Sequence, residues 1–367
     1  MDGYAVRAED IAGATADQPR VLRVTATIAA GGAADRVVGR GEATRIMTGA
    51  PLPGGADSVV RVEDTDGGDV HVRVRSDRDA GRNIRARGED ITAGAIAVSH
   101  GEPLTPGHIG FLAAIGCSSI PVVRRPRVAV LASGDELVDV SQFAEVQAGR
   151  RIVSSNSYSL GAAVSAAGAE AIDLGVVRDD PEELRRAISA CDCDLLLTTG
   201  GVSVGAFDHT RRVITEIGGE TAHRFWRVRI RPGAPLGFGI VRGTPWLGLP
   251  GNPVSALVTF ELFARPAIRR LAGYSLVHRR ATRVRTLEPI SITAPLTHFL
   301  RAVVTLDSDG YVARLTGPQG SGLMSSMALA NALLIVPPER QEIAAGEVLG
   351  ALLLRDDLLH AATPPSE

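Results

Sequence analysis

Val128-Ala129-Val130-Leu131-Ala132 is an unbroken apolar run, followed at once by Ser133-Gly134-Asp135-Glu136. A strand with no polar alternation is buried on both faces, the habit of a strand inside a parallel sheet. Its surroundings repeat the theme. Ser157 to Ala167 reads as a helix of small residues and Ala171 to Val177 as a second strand. Pro181 to Ala190 reads as an amphipathic helix, with Asp180 as N-cap and Pro181 in its first position. Leu195 to Thr199 makes a third strand, and another helix starts near His209. Buried strands alternating with helices predict an α/β layer over residues 125–274, a parallel sheet with helices on both faces.

On either side the style changes. Residues 1–86 carry short alternating runs, Val21 to Thr25 and Val70 to Val74, broken by Gly and Pro, and read as a small β-domain. Residues 87–124 hold a helix candidate, Pro106 to Gly116, and a short β-like run, Ile120 to Val123. Residues 280–357 return to strands at Ala302–Leu306, Tyr311–Leu315 and Ala332–Val336. A chain of 367 residues is long enough for several such domains.

Composition removes whole classes of function. The net charge is −2, from 39 basic and 41 acidic residues, which excludes a polybasic nucleic-acid binder. Every basic residue is Arg, so Schiff-base and P-loop lysine chemistry are out. Cys117, Cys191 and Cys193 form no CxxC pair, which supports neither a disulfide framework nor structural zinc. No apolar stretch approaches the roughly 20 residues that span a bilayer, and Met1 to Arg7 has no signal-peptide character. A cytoplasmic protein that engages neither nucleic acid nor membrane is expected.

In an open parallel sheet, ligands bind beyond the carboxyl ends of the strands. After the first strand stand Asp135 and Glu136, where a dinucleotide enzyme would carry GxGxxG. A solvated loop acid and a metal or proton-transfer role are equally open on position alone. After the second come Asp179 and Asp180; the latter suits the helix cap, leaving Asp179 for the cleft. After the third lies Thr199-Gly200-Gly201-Val202-Ser203-Val204-Gly205-Ala206-Phe207-Asp208. Glycines before a helix let backbone N–H groups converge on an anion, and Ser203 adds a hydroxyl. Asp208 either caps the helix or ligates a divalent cation. Arg227, Arg229 and Arg231 recur at period two, so one strand face is expected to carry all three. Pro250-Gly251-Asn252-Pro253 leads into an apolar helix, with Asn252 as candidate cap and its exposed N–H groups able to hold an oxyanion. Carboxylates would repel such a ligand unless Mg²⁺ bridges them, so metal-assisted phosphate or oxyanion chemistry is inferred.

Several stretches together resemble the molybdopterin molybdenumtransferases, the family that includes gephyrin-like E domains. They are Met1 to Ala5, Arg45 to Pro51, Asn83 to Arg85, Arg87 to Ile91, Ser133 to Leu137, the Gly200 to Asp208 turn and Leu249 to Ser255, in that order over almost the whole chain. The resemblance implies a multidomain α/β fold: a Rossmann-like molybdopterin-binding domain flanked by a small N-terminal β-domain and a C-terminal β-barrel-like domain, with 87–124 as the remnant of an elongated dimerisation domain. It implies insertion of molybdate into adenylylated molybdopterin with Mg²⁺, releasing AMP. A homodimer is implied too, supplied with its small anionic substrate by a molybdopterin adenylyltransferase. Carried over by position, Asp2, Glu136, Asp179 and Asp208 are the catalytic candidates, with Glu136 and Asp208 as metal ligands. Thr48, Asp90, Gly200, Gly201, Ser203, Arg227, Arg231, Pro250, Gly251, Asn252, Pro253 and Ser321 are the substrate-binding candidates.

The chain departs from the family pattern in places. Pro232-Gly233-Ala234-Pro235 has Ala where Lys is usual, Arg227 and Arg231 replace lysines, and Ser154 stands where an Asp is common. An Arg in place of Lys keeps the charge but offers a planar fork. The alternative to turnover is a non-catalytic molybdopterin-binding scaffold of the same fold. The chain begins inside the family's first motif, short of a segment usual upstream, so Asp2, its second residue, is expected to fray and this form to be a weaker dimer and a poorer catalyst than one extended upstream.

Overall fold

Alternation decides which way each residue of the Arg127–Ser133 strand points. Val128 and Val130 pack with Leu160, Val164, Phe260 and Ile268 on one side of the sheet. Ala129 and Leu131 pack with Leu184, Ile188, Val213 and Ile214 on the other. Successive side chains point to opposite faces, so a strand with apolar residues at every position needs helices on both. The helices Ser155–Ala166 and Pro253–Thr259 cover the first face, and Pro181–Ala190 and His209–Gly218 the second.

This computed structural model describes residues 2–200, 209–219 and 223–355. It separates into two units, Met1–Ala97 and Val98–Glu367. The sheet of the second unit runs His223–Arg227, Pro235–Val241, Thr244–Leu249, Leu195–Thr199, Arg127–Ser133, Glu170–Val177 in spatial order. The last four strands are parallel, as expected. The first two extend the sheet by antiparallel pairing, so it is mixed rather than purely parallel. The short Arg242–Gly243 link after Val241 can only turn the chain back on its neighbour, whereas parallel neighbours need a crossover.

The same unit holds a closed five-stranded barrel: Thr297–Asp307, Gly310–Leu315, Ala281–Thr286, Val348–Leu353 and Ala332–Val336, the last pairing back to the first. Barrel and α/β layer share apolar contacts, with Ile230, Val254, Val258, Phe299 and Leu333 in one cluster. The helix Pro106–Ala114 is capped by Thr105, whose Oγ accepts from the His108 amide while His108 Nδ1 accepts from the Thr105 amide. The run from Ile120 to Val123 forms no strand. Pro121 removes an amide, no strand among the described residues pairs with the segment, and Val122 and Val123 stay exposed.

In the first unit, Ser58–Arg61, Gly3–Val6, Glu42–Ile46, Arg20–Ile28 and His71–Val74 form a five-stranded sheet in that order. Gly3–Val6 is an interior strand, bonded on both sides and fully buried. The expectation that Asp2 frays is therefore corrected. Its carbonyl accepts from the Val62 amide, and Gly3 lets the strands close, since a Cβ there would sit 2.0 Å from the Val60 carbonyl oxygen. Among the described residues no helix is long and apolar enough to cross a membrane.

Candidate active site

Parallel register brings Ala132, Thr199 and Leu249 side by side, so the loops leaving these three strands all emerge at one edge of the sheet. Ser133 sits at the centre of this edge. Its carbonyl would lie 2.9 Å from a Cβ on Gly200, which holds φ +86°, a backbone that favours glycine. Its Oγ is 3.2 Å from Thr210 Oγ1 at the start of the helix His209–Gly218. Gly200 and Thr210 thus both adjoin Ser133. Gly201, Ser203 and Asp208 lie outside the described residues, and with them the proposed metal role of Asp208.

Three carboxylates crowd next to Ser133. Glu136 folds back over Gly134, where a Cβ would meet both carboxylate oxygens at 2.8 Å. Asp135 Oδ1 accepts from the Asp179 amide at 3.3 Å. Asp180 caps the following helix by accepting from the Glu182 and Glu183 amides, which leaves Asp179 uncommitted to the cap. Half-buried, Asp179 has its carboxyl pushed up, first by burial and then by the negative charges of Asp135 and Glu136, with His209 opposing. Like charges in a partly desolvated site disfavour simultaneous ionisation. A divalent cation would relieve that strain, and carboxylate oxygens are the hard donors Mg²⁺ prefers. Among the described residues no group of three or more His, Cys, Asp or Glu is placed to hold a metal by itself.

The Pro250-Gly251-Asn252-Pro253 turn meets the same edge. A Cβ on Gly251 would lie 3.7 Å from Gly200 Cα, and the Gly251 carbonyl accepts from Asn156 Nδ2 at 2.8 Å. Asn252 occupies the N-cap position of Pro253–Thr259, but its side chain makes no capping bond, which corrects that expectation. The Val254 amide, one of the N–H groups expected to be free for an oxyanion, is already donated to the Ser321 carbonyl at 3.1 Å. That bond seats the Ser321 loop on the start of the helix.

The three arginines do not share a strand face. Arg227 ends its strand opposite Pro235, at the edge where Leu249 also ends. The chain then leaves the sheet, with the Val228 amide donated to Ala234, and Ile230–Arg231 joins the barrel strand Thr297–Asp307 instead. Period-two logic fails because the strand changes partners at Val228. Arg231 pairs in register with the buried His298, whose imidazole pKa is lowered, chiefly by burial and also by Arg231. In the first unit, Asp2 Oδ1 accepts from both the amide and the hydroxyl of Thr48 at 2.8 Å, and these bonds hold its carboxyl below the usual range. Asp90 sits on the exposed bend after the Ala86–Glu89 turn.

One residue escaped the sequence reading. Arg301 is fully buried and makes no ion pair among the described residues. Its Nε donates to Ser326 Oγ at 3.0 Å and Nη2 to the Gly320 carbonyl at 2.9 Å, while Nη1 finds no partner. Burial lowers its pKa. Phe299-Leu300-Arg301-Ala302 carried the signal: a cation inside an apolar strand run. It adjoins the loop that presents Ser321.

Comparison with known proteins agrees with this architecture. Residues 1–116 match the "MoeA N-terminal region (domain I and II)", 129–270 a "Probable molybdopterin binding domain" and 283–354 the "MoeA C-terminal region (domain IV)". Molybdopterin molybdenumtransferase 2 of Mycobacterium tuberculosis is 41% identical over 95% of this chain and 86% of its own. Molybdopterin molybdenumtransferase of Staphylococcus aureus is 33% identical over 97% and 84%. The solved molybdopterin biosynthesis moeA protein from Pyrococcus horikoshii OT3 aligns with a TM-score of 0.80 at 28% identity, covering 96% of this chain and 86% of that one. Three matched regions in the family's order, on a fold with the same layers, place this chain among the molybdopterin molybdenumtransferases, the transferases of molybdenum cofactor biosynthesis.

Proposed function

We propose that this chain transfers molybdenum from molybdate into adenylylated molybdopterin, with Mg²⁺ assisting and AMP released. The observation that carries this reading is the pairing of opposite demands near one sheet edge. Asp135, Glu136 and Asp179 concentrate negative charge there. Arg227 ends at the same edge, and Arg301 adjoins the Ser321 loop seated on the helix that leaves it. Substrates rich in phosphate and oxyanion oxygens need cations, and carboxylates tolerate them best through a shared Mg²⁺.

Glu136 and Asp179 would hold the cation, with phosphate oxygens of the substrate completing its shell, since Mg²⁺ is usually bound by one or two carboxylates plus phosphates. Bound there, Mg²⁺ would offset charge on the phosphate oxygens. The raised pKa of Asp179 belongs to the metal-free site, so binding the cation there would release its proton. Asp208 joins the proposed set by its place in the motif. Arg301, a buried cation with an unpaired Nη1, is assigned to the molybdate oxyanion, which would reach it by displacing the Gly320–Ser321 loop that covers it. Asp2 and Thr48, already bonded together, would act as one unit.

The same reading makes the protein a cytoplasmic homodimer, fed by the adenylyltransferase that makes its substrate. The exposed apolar side chains Ile109, Ile115, Val122 and Val123 support a partner surface. Reconstitution with adenylylated molybdopterin tests the function. AMP release that requires both molybdate and Mg²⁺ is expected. Substrate binding without AMP release under those conditions would refute turnover and leave a scaffold role.

A further inference from the structure

Asn156 stands in the first turn of the helix Ser155–Ala166 and is only 7% exposed. Its Nδ2 donates to the Gly251 carbonyl at 2.8 Å, across 95 residues of chain. Its Oδ1 is buried and finds no partner among the described residues. The side-chain amide cannot turn over to improve this, because Oδ1 would then face a carbonyl oxygen, one acceptor against another. Buried polar atoms without partners are disfavoured, so packing alone gives no reason for an amide here. What Asn156 contributes is its donor, directed at Gly251.

The peptide unit it grips is the soft part of the Pro250–Pro253 turn. Pro250 and Pro253 have φ fixed by their rings. Asn252 precedes a proline and is confined to extended backbone, where it lies at φ −64° and ψ 127°. Gly251 carries no such restriction, so the peptide between Gly251 and Asn252 can rotate unless something holds it. In a planar trans peptide the C=O and the N–H point in opposite directions. A bond that draws the Gly251 carbonyl toward Asn156 therefore turns the Asn252 N–H away, to the open side of the turn, where Asn252 is exposed. That N–H makes no bond among the described residues, whereas the Val254 amide is taken by Ser321.

We infer that Asn156 is a positioning residue: it clamps the Gly251–Asn252 peptide so that the Asn252 N–H stands ready to donate to an oxyanion of the substrate. Donation from Nδ2 into the carbonyl also polarises that peptide and strengthens its N–H as a donor. A hydrogen-bond donor fixed in place before the ligand arrives needs no reorganisation to receive it. The oxyanion is molybdate or the adenylate phosphate, so the inference rests on the proposed function.

Selective labelling tests this directly, since the chain has four asparagines, Asn83, Asn156, Asn252 and Asn331. In protein labelled with ¹⁵N-asparagine, the Asn252 amide resonance is identified by its loss in Asn252→Asp. It should move downfield on titration with molybdate or with AMP, and the anion that moves it is the one held there. Asn156→Leu, of similar volume, removes the donor, and Asn156→Asp keeps the shape but sets a carboxylate against the carbonyl. Each should weaken binding of that anion about tenfold or more, the loss of one hydrogen bond to a charged group, and abolish the Asn252 shift. Circular dichroism checks the fold of each. Folded variants that keep both the shift and the affinity would make Asn156 structural only and overturn the inference. So would a wild-type Asn252 amide that neither anion moves, a result that needs no variant to fold. AMP release from adenylylated molybdopterin is measured separately. Turnover with a silent Asn252 refutes the clamp alone, while a responsive Asn252 without turnover supports the clamp and refutes the function.

Discussion

Replacing Arg301 by Met should scarcely alter stability yet remove the response of the protein to molybdate. The guanidinium is fully buried and has no carboxylate partner among the described residues. Deleting it forfeits the bonds to Ser326 Oγ and the Gly320 carbonyl, each about 1.5–3 kcal/mol as a charge-assisted bond. It also abolishes a buried unpaired cation, whose desolvation costs several kcal/mol, and Met retains much of the volume. The terms are of the same order and opposite sign, so a net change within about 2 kcal/mol is expected. An anion that binds the folded state at a hundred times its Kd stabilises it by about 2.7 kcal/mol. For a domain of 150–250 residues each kcal/mol moves Tm by about 2–4 °C, so wild type should gain about 5–10 °C. The assay is thermal unfolding of both proteins across a molybdate titration. A gain of the same size in Arg301→Met would refute the reasoning by placing the anion elsewhere. No gain in wild type, with a variant that melts far lower, would make Arg301 a loop brace only.

Three further outcomes are expected. The raised pKa of Asp179 means that its ionisation opposes folding, so wild-type stability should fall as pH rises from the ordinary carboxylate value through that raised pKa. Asp179→Asn should flatten this slope and blunt stabilisation by Mg²⁺, both read from denaturant melts. Asp79 is buried against Arg61, which with burial opposing holds it at about 2, well below the ordinary value near 3.8. It should add about 2 kcal/mol to the first unit, present above pH 4 and lost as pH falls through 2. Asp79→Asn should remove that acid-sensitive portion; an unchanged acid transition would contradict it. Ala234→Lys adds a cation beside the Arg227 strand end, where the Ala234 carbonyl takes the Val228 amide. It should tighten binding of the anionic substrate by on the order of 1 kcal/mol in a water-like dielectric, an effect that salt erases. Equal affinity at low ionic strength would show that position 234 is remote from the anion.

Local order was legible in the chain alone. Val128 to Ala132 announced a strand buried on both faces, Asp180-Pro181 a capped helix start, and Glu136, Asp179 and Asp208 after successive strands a shared acidic cleft, of which Glu136 and Asp179 lie within the described residues. Each depends on period, cap chemistry or the rule that parallel strands end together, and these act over a few residues. Every question of partners needed the tertiary structure. Arg227 and Arg231 read as one face, yet the chain changes sheets between them, because which neighbour a strand pairs with is settled by packing at long range. Asn252 read as a cap, yet the Val254 amide is claimed by the distant Ser321 carbonyl. Asp2 read as loose, yet an interior strand and Thr48 hold it. Arg301 was one arginine among many until burial left its Nη1 without a partner. A side chain's chemistry is written in its type, but its charge state and its unmet bonds depend on what the fold removes from water around it.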